Sequence, residues 1–219
     1  MISVDQYGRL VGGTPQLRAA WTRDRIIAGS ATYDEFVQRL NADLDTAIHG
    51  LQQARQHLQL DGEDRITVDI VMALRQSGYR AEHDVASGGH VDLSVWLGPY
   101  SWIGEAKREG KFREGYLQLM TRYGPVSGDY SHNAGALIFY FIQTELAREK
   151  LDAWEAELSA EGVSVNACPV NPLSFYSEHV HPSAGTKFFV RTIVVALHHD
   201  PQDASGRATK ARRAARRAR

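Results

Sequence analysis

The sequence predicts an α/β protein built on a mixed β-sheet flanked by helices, and three observations carry that expectation. Apolar residues keep helical spacing up to about residue 77, then switch to a period of two. The later segments then run helix, strand, helix, strands. The chain has 219 residues of which 43% are hydrophobic, enough for one sizeable core and too short for two full domains.

Residues 14–29 read as a weakly patterned helix and 32–58 as a long one, opened by Thr32 and Glu35 in an S/T-x-x-E cap. Together they form an accessory helical segment, 1–61. A clear helix follows over 62–77, with Asp61 as N-cap, Ile66, Ile70 and Leu74 on one face and Gly78 as its stop. Residues 79–86, 90–97 and 101–107 read as three short strands, punctuated by Gly88-Gly89 and Gly98-Pro99. Next come a helix over 112–123, the apolar strand 134–142, a charged helix 145–160 and a strand at 163–167. An irregular stretch with Pro169, Pro172 and Pro182 leads to a last strand at 186–197. The main domain is thus expected over 62–200.

The formal net charge of −1 hides a division. Seven of the 25 basic residues, including Arg212, Arg213, Arg216 and Arg217, lie beyond residue 206, leaving 18 basic against 26 acidic before it, a net of −8. A basic extension on an acidic body suits contact with nucleic acid, since its cations displace phosphate counterions without sequence preference. It equally suits an unstructured, solvating tail, and residues 201–219 are expected to be disordered. A single cysteine, Cys168, excludes an intrachain disulfide. No apolar run approaches the roughly 20 residues that cross a bilayer, and the first residues lack signal-peptide character, so a cytoplasmic location without membrane contact is expected.

The chemistry concentrates in two of the short strands. In His90-Val91-Asp92-Leu93-Ser94-Val95-Trp96-Leu97, alternation separates Asp92 and Ser94 from the apolar Val91, Leu93, Val95 and Leu97. In Ser101-Trp102-Ile103-Gly104-Glu105-Ala106-Lys107 it puts Glu105 and Lys107 on one face. Positions 92 and 105 are symmetric about Gly98-Pro99, so a hairpin turning there sets Asp92 opposite Glu105. Opposed like charges destabilise a sheet, and a divalent cation removes the conflict by taking oxygen ligands from both. Lys107, one strand repeat on, can then stabilise a phosphate and position water.

Asp92 followed after twelve residues by Glu105-Ala106-Lys107 resembles the D...E-x-K core of the PD-(D/E)XK, or restriction-endonuclease-like, nuclease superfamily, over about residues 62–142. Val91 stands where many members have proline. The resemblance implies a restriction-endonuclease-like core and a Mg²⁺- or Mn²⁺-dependent nuclease with Asp92, Glu105 and Lys107 as catalytic residues and Asp92 and Glu105 as metal ligands. It adds Glu63 as a further metal ligand from the preceding helix, although Glu63 also fits as a first-turn acid complementing the helix dipole, as does Asp64; Asp69 is a weaker candidate. It also matches Gln118, assisting catalysis, and Tyr123, here better read as core, on the following helix. Lys111, Gly115, Gln118 and Arg122 share one face of that helix. Lys111 and Arg122, with Arg212, Arg213, Arg216 and Arg217, are therefore candidates for nucleic-acid contact; a solvated face is the plain alternative.

His179, His181, His198 and His199 lack zinc-like spacing and read as surface or core residues. Cys168 reads as structural. By family analogy the substrate is DNA rather than RNA, the assembly a homodimer or larger, and the setting restriction or phage defence. The alternatives are a catalytically inactive nucleic-acid-binding module and a regulatory subunit that docks a protein partner through the N-terminal helices.

Overall fold

The computed structural model describes Gln6 and residues 13–86, 90–123, 132–143 and 146–203. The first helix, α1 (Pro15–Ile27), is capped by Thr14, whose hydroxyl accepts from the Leu17 N–H. In α2 (Tyr33–Gln53) the expected capping box of Thr32 and Glu35 forms in both directions. A single 3₁₀ turn, Arg55–His57, precedes α3 (Glu63–Gln76). The N-cap of α3 is Gly62 without a side-chain cap, not Asp61: the helix begins one residue later than expected, and Glu63 and Asp64 fall in its first turn. Gly78 ends it in the left-handed region, at φ 94°.

Two of the expected strands break. Asp84, at φ 59°, turns the chain out of the first, leaving β1 (Arg80–Glu82) and β2 (Val85–Ala86). The second parts at Asp92 into β3 (His90–Val91) and β4 (Leu93–Leu97). β5 (Tyr100–Arg108) continues unbroken. α4 (Phe112–Gln118) runs into a π-helical turn, Leu119–Tyr123, shortening the regular helix expected there. β6 (Ala134–Phe141), α5 (Ala147–Ala160), β7 (Ser164–Ala167), β8 (Ser174–Val180) and β9 (Lys187–Ala196) complete the described chain. β8 occupies a stretch that the prolines made look irregular; Pro172 and Pro182 only bracket it.

Seven strands form one mixed sheet in the order β1-β4-β5-β6-β9-β8-β7. β5, β6 and β9 are parallel neighbours and the remaining pairs antiparallel, while β2 and β3 pair as a separate ribbon. Alternation assigns the two faces. Ala136, Ile138 and Tyr140 of β6 join Leu93, Val95, Trp102 and Ala106 under Ile26, Phe36, Leu40, Leu44, Ile66 and Ile70 of α1 to α3. Leu137, Phe139 and Phe141 join Phe112, Leu151, Trp154 and Leu158 of α4 and α5 on the opposite face. The architecture is a mixed sheet with helices on both sides, and the N-terminal helices share the first core with the strands. Among the described residues, no helix is long and apolar enough to cross a membrane.

Candidate active site

The β4–β5 hairpin has the register expected from symmetry about Gly98-Pro99: Leu97 pairs with Tyr100, Val95 with Trp102 and Leu93 with Gly104. The next pair would be Asp92 with Glu105, but here the ladder stops. Preceding Asp92, the chain pairs with β2 instead, so β5 extends past the end of β4 with one flank uncovered. Backbone amides on that flank still require acceptors. The Ala106 N–H donates to Asp92 Oδ2 at 2.9 Å, and the Arg108 N–H, two residues on and pointing the same way, favours the charged form of Glu63 as a hydrogen-bond donor. The Asp92 carboxylate thus stands where a neighbouring strand's carbonyl would be.

Glu105 and Lys107 project from β5 toward α4, as their alternation with Ala106 requires. Gly115 of α4 faces them: a Cβ there would lie 3.2 Å from Lys107 Cγ. Gly115 therefore admits the lysine stem. The ammonium of Lys107 lies 2.5 Å from Glu105 Oε1, 3.4 Å from Asp92 Oδ2 and 3.7 Å from Glu63 Oε1. It also donates to the Ala106 carbonyl oxygen at 2.9 Å. One cation serves three acids.

The electrostatics follow from burial. Glu105 is 2% exposed, and desolvation, reinforced by the Asp92 charge and opposed by the hydrogen bond from Lys107, pushes its carboxyl up to about 8. Glu63 is also raised, first by desolvation. Burial opposes the charge on Lys107, but the hydrogen bond to Glu105 and the charges of Asp92, Glu105 and Glu63 outweigh it, so its pKa is raised. Glu105 Oε2 is buried with no hydrogen-bond partner, a costly state for a carboxylate oxygen.

The structure thus brings Glu63, Asp92, Glu105 and Lys107 together. It separates Glu63 from its first-turn neighbour: Asp64 is largely exposed and stands 3.8 Å from His83, while Asp69 is held by Arg65. Gln118 ends α4 with its Oε1 buried and unpartnered. Lys111 and Arg122 are exposed, Lys111 lying 3.7 Å from Glu114. Arg212, Arg213, Arg216 and Arg217, and the side chain of Tyr123, lie outside the described residues. His179 and His181 are buried, at 5% and 3% exposure, and Cys168 is buried within 3.6 Å of Arg191. Among the described residues no three His, Cys, Asp or Glu side chains stand as an assembled metal-binding group; the Lys107 ammonium lies among the three carboxylates. Sequence reasoning missed Arg108, whose amide favours the charged form of Glu63. Its place two residues after Ala106 is the signal, legible only once the end of β4 is known.

Compared with protein-family models, curated proteins and solved structures, the chain finds no match.

Proposed function

We propose that this protein is a divalent-metal-dependent nuclease of the restriction-endonuclease-like type. The observation that carries the reading is the convergence of Glu63, Asp92 and Glu105 on one ammonium at the uncovered flank of β5, with a Glu105 oxygen buried and unpaired. A structural sheet gains little from a buried Glu105 set against two further acids, whereas hard oxygen donors of this kind suit Mg²⁺ or Mn²⁺. The order of α3, the hairpin, β5, α4 and parallel β6 supports the fold-level analogy.

Asp92 and Glu105 would hold the ion, with Glu63 as a further ligand directly or through water. When bound, the metal polarises a phosphoryl oxygen and makes its water a stronger nucleophile. The residues of the chain supply the rest. Lys107 carries an ammonium within reach of charge developing on the phosphate. Gln118 has an unpartnered amide oxygen with which to orient water. Lys111 and Arg122 of the following helical segment, with Arg212, Arg213, Arg216 and Arg217, take phosphate contacts, DNA being the expected polymer. Cutting both strands needs two such sites and so a homodimer.

Purified protein incubated with plasmid, linear DNA and RNA in Mg²⁺ or Mn²⁺ is expected to cleave, to lose cleavage in EDTA, and to lose it in Glu105→Ala and Lys107→Ala. Absence of EDTA-sensitive hydrolysis under all of these conditions, or full activity in either variant, would falsify the assignment. Binding without cleavage would favour the non-catalytic nucleic-acid module.

A further inference from the structure

Glu63 reaches the cluster from the first turn of α3, so whatever fixes that turn also fixes where its carboxylate can go. Thr67, one turn later, donates through Oγ1 to the Glu63 carbonyl oxygen at 2.9 Å and lies 3.0 Å from the Tyr140 hydroxyl. Both residues are fully buried. The one hydroxyl proton of Thr67 is committed to the carbonyl, so Tyr140 is the donor in the second bond. The chain of bonds runs in one direction, from Tyr140 through Thr67 to the backbone of Glu63.

Its anchor is the central sheet. Tyr140 lies in β6 directly beside Arg108 of β5, whose amide favours the charged form of Glu63. The turn that carries Glu63 is therefore tied through its backbone to a position of the strand paired with β5. Burial, reinforced by the nearby Glu63 and Asp92 charges, keeps the Tyr140 phenol protonated and able to donate. The Tyr140 ring sits in the apolar core, where phenylalanine would fill the same space. What the hydroxyl adds is the bond to Thr67.

We propose that Tyr140 and Thr67 are positioning residues for the metal centre, holding the first turn of α3 so that Glu63 is presented to Asp92 and Glu105. This rests on the metal-dependent reading above. The test is titration of Mn²⁺ into the full chain by calorimetry, on the wild type, Tyr140→Phe, Thr67→Val, Glu63→Gln and the Tyr140→Phe/Glu63→Gln double variant. Tyr140→Phe is expected to weaken Mn²⁺ binding about tenfold, as loss of an orienting partner does. That loss should vanish when Glu63→Gln is already present, because the tyrosine acts through the glutamate. Unchanged affinity in Tyr140→Phe, or an equal loss in both backgrounds, overturns the inference. Should Thr67→Val fail to fold, Tyr140→Phe, which keeps the core ring, decides alone. A wild type that binds no Mn²⁺ overturns the metal reading and this inference with it, and is told apart because the parent protein itself is silent.

Discussion

At the scale of single residues, Lys107 is the member of the cluster whose loss has the clearest thermodynamic consequence. Its ammonium offsets three carboxylates, and removing one partner of a buried ion pair ordinarily costs about 3–5 kcal/mol. Lys107→Met should cost less, about 2–3 kcal/mol in the presence of a chelator, because Glu105 can take up a proton. Mn²⁺ should recover much of the loss. Urea unfolding with EDTA and with Mn²⁺ measures both, and a variant as stable as wild type in EDTA would show that the ammonium does not hold the acids in place. A second residue sets the response to acid. Burial holds His179 down at about 4, opposed by Glu161, against an ordinary histidine near 6.5. Between those values the unfolded chain binds a proton that the folded chain refuses, so stability falls as pH drops from 6.5 to 4. The loss approaches about 3 kcal/mol. In His179→Gln the slope in that window should flatten, and an unchanged slope in acid-range unfolding curves would remove histidine as its cause.

At the scale of elements, the hairpin between β4 and β5 decides where Asp92 falls. Gly98 sits at φ 56°, and a Cβ there would come within 2.7 Å of the Ile26 carbonyl oxygen at the end of α1. Gly110, at φ 74°, would meet nothing within 4 Å. Both substitutions to alanine carry the left-handed backbone cost of about 1–2 kcal/mol, but only Gly98→Ala adds a clash with backbone, for about 3 kcal/mol or more in total. Denaturant midpoints of the two variants check the difference; equal costs would mean that the turn is not pressed against α1. The register of this hairpin was legible because the turn residues and the alternating flanks are local. The parting of β3 from β4 was not, since it depends on the pairing of β3 with β2 after the left-handed turn at Asp84. β8 was missed for a related reason. Its alternation of Phe175, Ser177 and His179 is short, and its partners β7 and β9 come from both sides of it in sequence.

At the scale of the molecule, the N-terminal helices and the sheet share one core. Ile26, Phe36, Leu40, Leu44, Ile48 and Leu51 lie in the same core cluster as Val95, Trp102 and Ile138. Polar ties cross the same boundary: Tyr33 donates to the Ser101 carbonyl and accepts from the Ala134 N–H, and Tyr100 donates to the Ala31 carbonyl. Arg191, 2% exposed in β9, donates through Nη2 to both carboxylate oxygens of Asp45 of α2. A chain truncated to begin at residue 62 should therefore lose its near-ultraviolet circular dichroism and its cooperative unfolding transition. A truncated protein that melts sharply would show the helices to be separable.

The sequence by itself determined the α/β class, most of the helices, the faces of β4 and β5 and the hairpin register that draws Asp92 toward Glu105. These follow from side-chain periodicity and turn chemistry, which act over a few residues. Only the tertiary structure decided that β5 outruns β4, that Asp92 meets an amide left uncovered there, that Glu63 rather than Asp64 reaches the cluster, and that Gly115 makes room for Lys107. Each of those depends on which backbone donors remain unpaired and which surfaces exclude water, and that is set by contacts between segments far apart in the chain.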